Sequence, residues 1–270
     1  MNLLSKLKPA ETLLLLDGSK SDFKNLMKFT FMDLVLKQVL VVKESVRTIK
    51  SGRGYKEQRT KYVVIGKNFK NYKPSAFERI YLTTFDKSPE LKAVLTKLIK
   101  VAYDSIHLER KYRRTILNSI PIKQCFKISL LNQLMGSFSL TSEGYQKRSM
   151  VEIRLKDIDM IIGDLLKNDQ KKALEILIEI GGNIFLLKNI DFELLRNIDK
   201  SILESMKIEG QFDGFDNDYG IWYYMDFSDD YWLDSTFDSW DDTFDTFDSG
   251  YDSAGCSSCD SGCSSCGGCD

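Results

Sequence analysis

The last basic residue of this 270-residue chain is Lys207. All 38 Lys and Arg precede that point, with only 23 of the 39 Asp and Glu. The remaining 16 acids follow it with no cation among them, so the formal net charge of −1 conceals a +15 segment joined to a −16 segment. A stretch of unrelieved like charge repels itself and resists collapse, so any core must be built from residues 1–207. With 43% apolar residues overall, that length suffices for one large domain or two ordinary ones. The sequence therefore predicts a basic folded body, 1–207, and a disordered acidic-aromatic tail, 208–270.

The body reads as mainly α with small β-hairpins, an α+β class. Asp22 is placed to cap a helix from about Phe23 to Leu36. Ser88-Pro89-Glu90 offers a cap, a first-turn proline and an acid, and Leu91, Val94, Leu95, Leu98, Ile99 and Ala102 follow at spacings of three and four. A helix from Ser88 is the expectation. Asn168-Asp169 opens another, Ala173 to Ile180, stopped at Gly181-Gly182 and followed by a buried connector, Asn183 to Leu187.

Two strand pairs interrupt the helices in this reading. Val39–Val42 and Tyr62–Ile65 are rich in β-branched residues and flank a basic tip around Ser51-Gly52-Arg53-Gly54-Tyr55. Phe138–Thr141 and Val151–Leu155 flank Ser142-Glu143-Gly144-Tyr145 in a similar way. Gly54-Tyr55 and Gly144-Tyr145 lead into comparable segments, and Lys8-Pro9 and Lys73-Pro74 each precede an apolar helix. The expected plan is a duplicated, tandem winged-helix-like body, with units at about 5–70 and 73–167, and chance similarity in a Lys-rich chain is the rival reading of the repeat.

The tail repeats short Asp–aromatic units and holds all three Trp and 14 of the 31 aromatic residues. It ends in Cys256, Cys259, Cys263, Cys266 and Cys269, a C-x2-C-x3-C-x2-C-x2-C pattern in Ser, Gly and Asp. Thiolates at this density are ligands for zinc or another soft metal. A structural zinc module normally separates its Cys pairs by a dozen or more residues that form a small core, which this spacing lacks. A plain flexible tail, disulfide formation and enzymatic modification are the competing uses. Cys125 stands alone in the body, which shows no disulfide framework and reads as a cytoplasmic fold.

No catalytic constellation emerges from the residues. His107 is the only histidine, so any triad would rest on it alone. Ser51-Gly52-Arg53-Gly54 lacks the Lys-Ser/Thr pair and the following helix of a phosphate loop. Asp213 to Asp218 lacks the spacing and terminal Glu of a calcium loop. Two basic clusters are the best binding candidates: Lys50, Arg53, Lys56, Arg59 and Lys61 with Tyr55, and Arg110, Lys111, Arg113 and Arg114. Such groups suit phosphates of nucleic acid or of anionic lipid headgroups. A merely solvated basic face fits them too, as does an acidic tail folded over them in cis. The function expected is non-enzymatic binding or scaffolding, with a tail that binds metal or screens the body. A protein whose tail is a substrate for modification is the alternative.

The run Leu7-Lys8-Pro9-Ala10-Glu11-Thr12-Leu13-Leu14-Leu15-Leu16 resembles the first helix of the Golgi phosphoprotein 3-like (GPP34) family. The order of helices and hairpin is similar over about residues 5–190. That resemblance implies a peripheral binder of phosphoinositide headgroups, cytoplasmic or at a membrane surface. The family's lipid site uses a Trp in the body, whereas every Trp here lies at 222 or later. The plan also resembles bacterial proteins with a winged-helix-like N-terminal region and a Gly- and Cys-rich C-terminus.

Overall fold

The structure, a computed structural model, describes residues 3–51, 54–106, 108–127 and 137–190. Over these residues the chain is mostly helical with small antiparallel sheets, in keeping with the α+β expectation. Arg53, His107 and the whole of 191–270, including the five tail cysteines, lie outside the described residues.

Helix α1 (Pro9–Asp17) is the centre of the body. Pro9 occupies its first position, where a fixed φ and a missing N–H cost nothing. Ala10, Leu14 and Leu15 are fully buried, and Glu11 and Thr12 are buried with them. Around α1 pack α2 (Phe23–Leu36), α5 (Glu109–Leu117), α6 (Ser142–Asn168) and a 3-10 turn over Gly181–Leu186. Asp22 caps α2 as expected, accepting from the Lys24 amide at 3.2 Å. The α2 core face is tied down by polar tips: Tyr112 donates to Thr30 Oγ1 at 2.9 Å and Tyr81 to the Met27 carbonyl at 3.2 Å. Buried tyrosines of this kind need such acceptors for their hydroxyls.

Glu11 accepts the Lys8 amide at 2.9 Å, filling one vacant donor of the α1 N-terminus. Burial pushes its carboxyl above the ordinary value of 4.5, with that amide pulling the other way. An acid whose folded pKa is raised costs stability once pH exceeds the ordinary value, and the cost grows until pH passes the folded value. Glu11→Gln removes the ionisation and keeps an acceptor. The stability of this variant relative to the native chain should therefore climb from pH 4.5 upward, read as urea midpoints from about pH 3.5 to 8. A pH-independent difference would show that burial of the carboxylate is not being felt.

Strands β1 (Leu40–Ser51) and β2 (Gly54–Ile65) form a long antiparallel hairpin in register Leu40↔Ile65 to Ser51↔Gly54. The expected strands Val39–Val42 and Tyr62–Ile65 fall at its base, except that Val39 is a bend before the first paired residue, Leu40; pairing continues through the segment read as tip. A short β3 (Ala93–Val94) adds to β2 at Tyr62 and Val63. That pairing corrects the helix expected from Ser88. Helix α4 runs Leu95–Ser105 instead, because Ala93 and Val94 are spent on the sheet and Ser88 to Lys92 form a turn and connection. Helix α3 (Arg79–Lys87) precedes it.

The second strand pair is not formed. Ser139–Leu140 (β5) is a strand, but its partner is Phe126–Lys127 (β4). Val151–Leu155 lies inside α6, a helix of 27 residues capped by Thr141, whose hydroxyl accepts from the Gly144 amide at 3.1 Å. Val151, Leu155, Ile158, Ile162 and Leu166 are its buried face, spaced by three and four. Gly144, read as a turn residue, sits in the first helical turn against the Cys125 carbonyl, and a Cβ there would stand 2.9 Å from Leu140 Cδ2. Close approach, not a turn, is why glycine stands there. The matching stretches Gly54-Tyr55 and Gly144-Tyr145 thus fall on a strand and a helix. Helix α7 (Gln170–Ile180) is capped by Asp169 and ends at Gly181, and the connector after it is the buried 3-10 turn.

Candidate anion-binding hairpin

The hairpin is anchored at its base and open beyond it. Leu40 and Val63 are fully buried, and the base packs against α2 and α4. From Lys43 to Ser51 the strand extends about 30 Å at roughly 3.4 Å per residue. Its side chains there are exposed or half-buried as far as Lys50.

Residues directly opposite one another share a face, and successive residues alternate. The register therefore sorts the predicted cluster in two. Lys50, Arg59 and Lys61 fall on the face that continues Leu40 and Val63, opposite Tyr55, Val46 and Glu44 respectively. Glu57 is on that face as well, and Arg59 reaches it at 3.9 Å with both side chains mostly exposed. A pair of that kind contributes little, yet acids dilute the positive field there. Lys56 falls on the other face, opposite Ile49.

That second face carries Lys43, Arg47 and Lys56 with Tyr62, Thr60, Gln58, Ser45 and Ile49, and no acid. Lys43 and Arg47 were not among the sequence candidates. The signal for them was available: in a strand, positions 43 and 47 lie on one side, four residues apart. It becomes readable only once the hairpin is known to extend past Val42.

The second predicted cluster occupies a different element, α5. Arg110, Lys111 and Arg114 are exposed, whereas Arg113 is structural. Its guanidinium donates to the Ser21 carbonyl at 2.8 Å and lies 3.7 Å from Glu109, with only 20% of the side chain exposed. The helix packs on α1 and, through Tyr112, on Thr30 of α2, the helix that also meets the hairpin base. The clusters stand on two different elements.

A denser polar site lies in the body and was not anticipated. Lys8 Nζ donates to Glu78 Oε2 at 2.6 Å, Ser75 Oγ at 2.9 Å and Tyr72 OH at 3.1 Å. Tyr72 OH donates in turn to Glu78 Oε1 at 2.7 Å, and the Ser75 amide to Glu78 Oε2 at 2.6 Å. Nearby, Lys37 Nζ is 3.0 Å from Asp33 Oδ2, an ion pair by distance that is not aligned as a hydrogen bond. Burial pushes Asp33 above its ordinary range, with the Lys37 charge opposing. Every donor on Lys8 already has an acceptor, which marks a structural strut rather than a ligand site.

Among the described residues no cluster of three or more His, Cys, Asp or Glu could hold a metal ion. Among them, too, no helix is long and apolar enough to cross a membrane. No family model matches this chain, and neither a curated protein nor a solved structure matches it.

Proposed function

We propose that this chain is a non-enzymatic binding protein whose projecting hairpin meets an anionic partner, with phosphates as the groups contacted. The acid-free face of Lys43, Arg47 and Lys56 carries this reading. Three cations on one side of a strand pair that extends away from the body present an unscreened positive surface to a polyanion. In the winged-helix-like reading, α1 and α2 precede the hairpin and the hairpin is the wing. The GPP34 resemblance supports a phosphate-bearing headgroup as the contacted chemistry. The segment 208–270, with 16 acids and no cation, is complementary in charge and competes for the same face.

Binding of the full chain to a DNA duplex and to phosphatidylserine vesicles, measured over a salt series, tests the proposal. Lys43→Ala/Arg47→Ala/Lys56→Ala should weaken binding and lower the logarithmic salt slope on the duplex by about 2.7, since each phosphate left unneutralised removes about 0.9. Lys50→Ala/Arg59→Ala, on the opposite face, should cost less. Equal losses from the two faces, or no binding to either polyanion, would overturn it.

A further inference from the structure

The hairpin leaves one long strand edge open. In the sheet order β1-β2-β3 the central strand is β2, and β1 is an edge over its whole length, Leu40–Ser51. Its register with β2 runs without a bulge, and no proline lies between Leu40 and Ile65. Beyond Val42 the β1 side chains are exposed or half-buried, Val46 being 51% exposed. A row of unpaired backbone groups is a template for another strand, and proteins that keep such an edge free blunt it with proline, bulges, charge or a covering segment. Beyond the hairpin base, charge is the only one of these devices on β1 among the described residues, as Lys43, Glu44, Arg47 and Lys50.

The spacing of those charges admits one extended pairing with a second copy. Two copies of a strand meet antiparallel about a two-fold axis perpendicular to the sheet, so each residue faces the one equally far beyond a central residue. Centring on Lys43, Glu44 or Arg47 sets a charge against its own copy, and centring on Ser45 sets Lys43 against Arg47. Like charges directly opposite are destabilising. Centring on Thr48 avoids them but pairs only Ser45 to Ser51. Centring on Val46 pairs Val42 through Lys50 with no like charges opposed. Glu44 then lies opposite Thr48 of the second copy and diagonal to its Lys50, within reach of long side chains, and symmetry forms this contact twice. The exposed Val46 meets its own copy at the axis. On the other face Arg47 is diagonal to Lys43 and Arg47 of the second copy, a longer-range repulsion that salt screens.

We propose that this chain self-associates through β1, two hairpins joining edge to edge into one antiparallel sheet centred on Val46. The axis keeps each face on its own side, so the Lys43, Arg47 and Lys56 faces of both copies adjoin. That doubled cationic face rests on the anion-binding reading above; the self-association does not.

Thiol trapping on the full chain tests it, with Cys256, Cys259, Cys263, Cys266 and Cys269 changed to Ser so that only the buried Cys125 remains. Directly opposed residues have Cα atoms about 4.5 or 5.5 Å apart, within the span of a disulfide. Val46→Cys should therefore give a disulfide-linked dimer on mild oxidation. Thr48→Cys, on the same face, should not, because its two copies would stand four residues, about 14 Å, apart along the strands. Sedimentation equilibrium without any polyanion measures the association itself. Ser45→Glu sets an acid opposite Arg47 at two symmetric places and should tighten it about 2- to 30-fold, and Ser45→Lys should weaken it by a similar factor. Circular dichroism checks that each variant keeps the fold. A monomer at every concentration, a dimer that Val46→Cys fails to trap, equal trapping of both cysteines, or Ser45 variants of unchanged affinity would overturn the proposal. With no polyanion present, none of these results bears on the anion-binding reading, and failure of that reading would leave the dimer standing.

Discussion

Gly66→Ala should be among the most damaging single-methyl additions in this protein, costing about 3 kcal/mol. For a body of this size that corresponds to a fall of about 6–12 °C in the unfolding midpoint. Gly66 ends β2 where the hairpin meets the C-terminus of α2. A Cβ there would collide with the Gln38 carbonyl oxygen and stand 2.6 Å from its carbonyl carbon, both backbone atoms. Gln38 cannot yield, because it holds a left-handed φ of 50°. Its neighbours are bound as well: the Gly66 amide donates to the Val39 carbonyl at 2.8 Å, the Asn68 amide to that of Gln38 at 3.1 Å, and Asn68 Nδ2 to that of Lys37 at 2.9 Å. Relief would come by tilting the hairpin off the body, so binding through Lys43, Arg47 and Lys56 should fall along with stability. Gly54→Ala, at the far end of β2, meets nothing within 4 Å and should lie within about 0.5 kcal/mol of the native chain. Comparable effects from the two substitutions would remove Gly66 from its role as pivot.

Lys8→Met should cost about 3 kcal/mol, the lower end of what breaking a buried pair costs, since one-fifth of the lysine side chain still reaches solvent. It strips the counter-charge from Glu78, whose side chain is 1% exposed, and leaves Tyr72 and the Ser75 amide to hold the carboxylate. Replacing both partners, Lys8→Met/Glu78→Leu, should recover part of the loss, because no buried charge is then stranded. Urea unfolding of the four-member cycle gives a coupling energy, expected at about 2 kcal/mol. A coupling near zero would show that Tyr72 and Ser75 satisfy Glu78 without Lys8.

These two residues also show where the sequence stopped being informative. Elements set by neighbours in the chain were legible. Asp22 and Asp169 each cap the helix expected of them, and Gly181 ends the second. The hairpin base was legible because its β-branched residues face a core on one side. The Ser88-Pro89-Glu90 signal is equally local, but pairing of Ala93 and Val94 with β2 overrides it, a choice made by residues about 30 positions away. Helix α6 was misread because Gly144 and the short runs beside it match a turn between strands. The longer spacing of Val151, Leu155, Ile158, Ile162 and Leu166 carries the correct period. The Lys8–Glu78 contact spans 70 positions, and nothing in either local sequence announces the other.

Asn183 in the 3-10 turn after α7 has a consequence for synthesis. Its side-chain nitrogen donates to the carbonyls of Leu4, Leu7 and Ile180, at 3.0, 2.8 and 3.0 Å. The first two close loops of 179 and 176 positions, so the carbonyls preceding α1 wait for a residue made far later. At about 5–20 residues per second a ribosome takes roughly 10–40 s to reach it. Throughout that interval α1, with its buried Ala10, Leu14 and Leu15, has been made but lacks its final neighbours. The contact between the two ends of the body is thus a late event in synthesis, since neither carbonyl can be met before Asn183 is made.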